Sequence, residues 1–273
     1  MRAGEVAGPN LRSAGGPVYP AQGIPHYLGG LPAEVRAHMA QPASAGEARG
    51  LVEAMGKDAD VIKLFTGSWV ARGQVKPMTL EVAKAAVAAA HKHGRLVFAH
   101  PSNLAGTRVA LEAGVDVLAH APDDTRGIDG ALLQAMVNRR MAMVPTLQLF
   151  QGVGGEDMAA IRELVRGFKA RGGELLFGTD VGYIDTYDPT DEFLQLGQAG
   201  LTTADLLRML TTAPAKRFGV QNSHGRVAEG MVADLVVLAA HPEGHPQAFA
   251  QIAWTVQAGR LQYEAGIPGP GAR

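Results

Sequence analysis

The 273 residues contain no cysteine. Disulfides, zinc-thiolate sites and cysteine nucleophiles are therefore excluded, and any metal must be held by His, Asp, Glu or a modified Lys. An excess of charge of either sign is also lacking: 25 Lys and Arg stand against 26 Asp and Glu, for a formal net charge of -1. The basic residues are scattered, so nothing builds the positive field that nucleic acid or anionic lipid requires. No apolar run approaches the roughly 20 residues of a membrane span, and the first twenty or so residues lack the apolar core of a leader. These absences predict a cytoplasmic protein whose partner is a small-molecule substrate, with neither nucleic acid nor membrane.

What is present is an α/β pattern. Hydrophobic residues make up 47% and charged residues 19% of the chain, as in an ordinary globular domain large enough to bury a core. Up to about Ala45 the sequence is rich in Gly, Pro and Ala, and reads as one short strand near Asn10–Ala14 followed by a long loop. Amphipathic helices are then expected at Ala45–Lys57, Leu80–His93, Leu104–Glu112 and Gly130–Arg139. Strands are expected between them at Asp60–Phe65, Leu96–His100, Val115–His120, Met141–Leu147 and Leu175–Asp180. Gly94, Gly114 and Gly173 sit where left-handed helix ends belong. Further helices are read near Glu192–Ala199 and from Thr202 or Thr203 to Leu210, the latter with Thr caps and Asp205 in its first turn. The tail reads as strands over Gly225–Ala240 and Ile252–Tyr263 with no helix between them. Alternating strands and helices imply a mainly parallel sheet with right-handed crossovers. Two domains follow: residues 1–222 as the parallel α/β part and 223–273 as a small β subdomain.

The polar residues fall in informative places. Lys63, His100, His120 and Asp180 each lie at or near the C-terminal end of an expected strand, where a parallel barrel builds its active site. Two His, an Asp and a Lys without cysteine suit a borderline divalent ion such as zinc, which activates water near neutral pH. An ammonium cannot ligate, so Lys63 on its own reads as a charge partner for Asp180 or a Schiff-base amine.

These strand ends, together with Gly4-Glu5-Val6-Ala7-Gly8-Pro9, Gly178-Thr179-Asp180, Thr211-Thr212-Ala213-Pro214-Ala215 and the tail from Gly230 to Leu238, resemble the amidohydrolase superfamily in its imidazolonepropionase and Xaa-Pro dipeptidase-like branch. The resemblance spans nearly the full length. It implies a TIM-type (β/α)8 barrel with a small β-sandwich subdomain, acting on cyclic-amide or dipeptide-like C–N bonds. It implies a carbamate on Lys63 as a bridging ligand, one metal on His100 and His120, and a second on Asp180, with zinc as the expected ion. Asp180 would also carry the proton to the leaving amine.

The family's His-x-His on the first barrel strand has no strand-end counterpart here. The sequence is therefore expected to represent a barrel without its first strands, an open six-strand arc. Two exposed edges then predict self-association or a complementing N-terminal fragment. Alternative readings are a non-catalytic remnant and one half of a split enzyme. His91-Lys92-His93 spells His-x-His but at a helix end, on the face that serves stability. His241 and His245 read as loop residues. Asp185, Asp188 and Asp191 read as a solvated acidic loop, and Thr146 as a residue lining the pocket.

Overall fold

The computed structural model describes residues 8–153 and 157–266. The start of the family-like segment at Gly4–Ala7 lies outside them. The described residues divide into two compact units: residues 12–145 and 157–174 form the first, and residues 8–11, 146–153 and 175–266 the second.

The first unit is organised by a parallel sheet. Strands β1 (Pro17–Val18) and β2 (Val61–Phe65) are followed by an inserted hairpin, β3 (Gly67–Ala71) and β4 (Gln74–Pro77), and then by β5 (Leu96–His100), β6 (Val117–Leu118) and β7 (Ala142–Met143). The sheet order is β1-β2-β5-β6-β7, with β8 (Glu174–Leu175) as its sixth strand. The printed pairings from β1 to β7 are all parallel. Register aligns Val18, Leu64, Ala99, Leu118 and Met143 in one row across five strands, and none of them is exposed. Apolar side chains buried in such a row are what a sheet covered by helices demands.

Helices α1 (Ala33–Ala37) and α2 (Ala45–Met55) precede β2. α3 (Leu80–Lys92), α4 (Leu104–Ala113) and α5 (Gly130–Asn138) join successive strands. Their starts are written in the sequence: Ser44, Asn103 and Asp129 accept hydrogen bonds from the Glu47, Gly106 and Leu132 N–H groups. α3 buries Val82, Ala83, Ala86, Val87 and Ala90, the stripe of an amphipathic helix. α4 stops at Gly114, whose φ of 85° is the left-handed cap expected there. The chain passes through α6 (Leu147–Val153), a part of the second unit, and returns as α7 (Met158–Ala170), which buries Ile161, Leu164, Val165 and Phe168.

The second unit contains α6, α8 (Thr190–Gln198), α9 (Thr203–Leu210) and α10 (Thr212–Arg217), and an antiparallel sheet of order β11-β10-β9. Its strands are β9 (Leu235–Leu238), β10 (Ile252–Gln257) and β11 (Arg260–Glu264). Thr202 and Asp205 form a reciprocal capping box at the start of α9. Phe193 stacks between Phe177 and Phe249, at centroid distances of 4.6 and 5.4 Å.

Several expectations are corrected. The first strand is Pro17–Val18 rather than Asn10–Ala14, because Ser13 hands its carbonyl and amide to Asp60 in a loop contact. Met141–Leu147 is not one strand: Thr146, at φ 51°, turns the chain directly into α6. Gly172, not Gly173, takes the left-handed conformation. In the tail, only Leu235–Leu238 of the first expected strand pairs, Ile252–Tyr263 is a hairpin, and a short 3-10 helix at Pro246–Ala250 lies before it. Among the described residues no helix is long and apolar enough to cross a membrane.

Candidate metal and active site

The register that fills the core also builds the site. Lys63 pairs with Phe98, and Phe65 with His100, so the alternation of the strand puts Lys63, Phe65, Phe98 and His100 on one face. After Leu118 the backbone leaves strand geometry, and His120 turns toward His100, with ring centroids 4.6 Å apart in an edge-to-face arrangement. Phe65 stacks on the other side of His100 at 4.7 Å, Tyr19 packs on Phe65 at 4.7 Å, and the Lys63 Nζ lies 5.5 Å from the Phe65 centroid. Three of the four residues singled out by their strand-end positions are thus gathered in one place.

Both histidines are buried, His100 at 9% and His120 at 4% exposure. Burial, with the Lys63 ammonium as a second cause, pushes His100 down to about 3, and the same causes together with His100 hold His120 well below the usual histidine range. Both rings are therefore neutral at pH 7, which leaves a lone pair available on each. The His100 Nε2 has no hydrogen-bond partner although it is inaccessible to water. A buried, unsatisfied imidazole nitrogen is costly unless something binds it. Among the described residues no group of three His, Asp or Glu side chains forms a metal-ligand set. The cluster offers two histidines, and Lys63 could add an anionic ligand only as a carbamate.

The inserted hairpin, which sequence reasoning missed, fastens the loops around this cluster. The Thr66 hydroxyl donates to the His100 carbonyl at 3.3 Å, Ser102 donates to the Gly67 carbonyl at 3.2 Å, and the Trp69 indole donates to Asp123 at 2.7 Å. Arg72-Gly73 between Trp69-Val70 and Val75, with Gly73 at φ 72°, is the signal that reveals it.

Asp180 belongs to the second unit and is exposed, at φ 61°, where its carbonyl accepts from Tyr183 in a tight turn. Thr146 is buried at 2% exposure in the same unit. The acidic loop has a structural member: Asp188 accepts from the Thr190 amide and hydroxyl at the start of α8. The His91 Nε2 donates to the Asp116 carboxylate at 2.9 Å, and Asp116 also accepts the Val97 amide, so this histidine braces the N-terminal part of β5. His241 accepts from the Glu243 amide, and His245 precedes the 3-10 helix.

Glu192 was not singled out by sequence and is fully buried. Its Oε2 accepts from the Gln148 amide at 2.7 Å while the Gln148 side chain accepts from the Glu192 amide at 3.1 Å. Burial raises the Glu192 carboxyl to about 8. It is therefore neutral at pH 7, and the unfolded chain ionises first as pH rises. Stability from this group is full below about pH 4.5 and is lost as pH rises to about 8, at ~1.4 kcal/mol per unit. Glu192→Gln is expected to flatten that slope in urea melts between pH 5 and 8; an unchanged slope would contradict a neutral Glu192.

The buried histidines act in the opposite sense. Their folded pKa values lie below the unfolded value, so stability is full above about pH 6.5 and is lost as pH falls toward 3. For metal-free protein, His100→Gln is expected to make the acid-side slope shallower by ~1.4 kcal/mol per pH unit, which urea melts between pH 4 and 6 would show.

The amidohydrolase family model matches residues 26–260. No curated protein matches this sequence. Among solved structures, an Xaa-Pro dipeptidase with bound methionine in its active site superposes with a TM-score of 0.84 at 22% identity, over 96% of this chain and 70% of that one. A putative prolidase from Bifidobacterium longum gives 0.77 at 27% identity, over 98% and 69%. The A. niger ochratoxinase gives 0.79 at 20% identity, over 100% and 70%. These likenesses carry the parallel sheet to a TIM-barrel-like α/β fold.

Proposed function

Because the chain belongs to the amidohydrolase family, we propose that it serves the hydrolysis of an amide-type C–N bond in a small dipeptide-like or cyclic-amide substrate with the help of a divalent metal, zinc by preference. The observation that carries this reading is the pair of buried, neutral histidines, of which His100 has an unsatisfied Nε2. His100 and His120 would hold the ion. Lys63 would join them after its neutral amine takes up carbon dioxide and releases a proton, giving a carbamate with carboxylate-like oxygens. When bound, the metal supplies Lewis acidity and a water made acidic near neutral pH. Phe65 and the burial of the cluster keep bulk water from competing, and the Trp69–Asp123 bond holds the hairpin in place. Asp180 is proposed to bind a second ion and to pass the proton to the departing amine, as general acid-base catalysis requires.

The test is a panel of Xaa-Pro dipeptides, N-acyl amino acids and cyclic amides, incubated with zinc and bicarbonate and analysed for released amine. Turnover that disappears with chelator supports the reading. No turnover of any amide, with the protein folded and metal bound, would contradict it.

A second reading is favoured by the incomplete ligand set, two histidines without a third His, Asp or Glu among the described residues. In it the chain is the larger part of an amidohydrolase barrel with a β-sandwich appendage. The strand-end His-x-His is supplied by polypeptide outside these 273 residues, in continuous chain or as a complementing N-terminal fragment. A homo-oligomer, or a remnant without catalysis, would be the alternative fate of the sheet ends at β1 and β8. Activity that appears only on adding a fragment carrying that His-x-His would establish it.

A further inference from the structure

Apart from the histidine cluster, the first unit contains a cavity of about 250 Å³ between the segment that follows β1, the residues that precede α2 and the β4–α3 junction. None of its lining residues belongs to the candidate metal site. Its lining is mixed, with apolar surface exceeding polar, and includes Pro20, Pro42, Met78 and Val82. Lys76 and Gln22 are also among the lining residues. Lys76 is half-buried on β4, in register with Ser68, and has no ion pair among the described residues. Thr79 also lines the space, and its hydroxyl makes no capping bond to α3. The acid nearest in sequence to the α2 side, Glu47, is engaged by the Ala43 amide at 2.9 Å.

A half-buried cation without a counter-ion beside apolar surface is the arrangement that an amphipathic anion satisfies, since the charge is paired and the apolar body leaves water together. The size narrows the class. At about 250 Å³ the cavity is smaller than the roughly 300–1,000 Å³ of pockets for drug-sized ligands. It therefore suits a compact molecule with one carboxylate and a short apolar or aromatic body. We propose that this cavity is a binding site for a small apolar monocarboxylate, with Lys76 pairing the carboxylate and Met78 and Val82 holding the body. The site is independent of catalysis at the histidine cluster.

The experiment uses the whole chain with EDTA present, so that carboxylate binding to a metal is eliminated, and benzoate as the probe, followed by saturation-transfer NMR. Benzoate is expected to bind saturably. Lys76→Met should weaken it by about tenfold or more, the effect of losing one charge-assisted bond, while Lys76→Arg retains most of the affinity. Val82→Trp, which fills the cavity, should abolish binding without unfolding the protein, as checked by near-UV circular dichroism. Benzylamine, with the same ring and the opposite charge, should not bind. Equal binding of benzoate to the parent and to Lys76→Met, equal binding of benzylamine, or no saturation by about 10 mM benzoate would each overturn the proposal. Because no step depends on turnover, its failure is distinguishable from failure of the hydrolase reading.

Discussion

His100→Ala and His120→Ala are each expected to remove amide hydrolysis to background and to weaken zinc binding by more than ~100-fold. Loss of an outer-shell partner alone costs about 10- to 100-fold in metal affinity or activity, and a direct ligand must cost more. The expectation rests on where these rings stand. Each is buried and kept neutral by burial and by Lys63, and the two rings touch at a centroid distance of 4.6 Å. A ring held this way for packing alone would tolerate replacement by an apolar residue of similar size. His120→Phe therefore separates the two roles: it should preserve the fold and still lose zinc. If His120→Phe binds zinc like the parent, as read by equilibrium dialysis, the histidines are core residues and the site lies elsewhere.

Gly106→Ala is expected to destabilise the protein by about 3 kcal/mol, the upper end of the cost of overpacking. A Cβ on Gly106 would overlap the Pro101 carbonyl oxygen and crowd the Gly67 backbone, and a Cβ on Gly67 would overlap the same oxygen. The obstacle is main chain on both sides, so neither neighbour can rotate away. Pro101 follows His100 directly, and the displacement would reach the ring, lowering metal affinity as well as stability. Gly50→Ala is the control: it lies within α2 with nothing near the added methyl, and should stabilise the protein by about 0.5–1 kcal/mol. Urea melts of the two variants check both signs; a neutral Gly106→Ala would show that the close approach of these three segments is not needed.

The placement of Lys63, His100 and His120 at or near strand ends was legible because a parallel sheet announces itself in short apolar runs; His100 ends β5, while Lys63 is the middle residue of β2 and His120 follows β6 by two residues. β5 was read to the residue, since Leu96–His100 is bounded by Gly94 and Pro101. The helices α2 to α5 were read nearly as well: Ser44, Asn103 and Asp129 cap α2, α4 and α5, and α3 shows itself by its apolar stripe. The hairpin β3–β4 escaped because Gly67 and Pro77 bound a short segment without a long apolar run, although Trp69 and Val75 pair across the turn at Gly73. α6 escaped because its apolar residues follow those of β7 after only Val144-Pro145-Thr146, and Thr146, at φ 51°, turns the chain between them. The role of Glu192 was invisible: an acid in a helix reads as solvent-facing, and its partner Gln148 stands 44 positions away. Asp180 was read at the end of an expected strand Leu175–Asp180, but the strand is only Glu174–Leu175, and Asp180 stands five residues beyond it in a turn of the second unit.

The central claim is that Lys63, His100 and His120 together hold a metal. Its most direct test is the zinc content of the full chain by elemental analysis after incubation with zinc and bicarbonate followed by extensive dialysis. The account predicts zinc retained at about one ion per chain, reduced by Lys63→Ala and lost in His120→Phe, in keeping with a site that needs three ligands. Zinc absent from the parent, or retained equally in all three proteins, would contradict it.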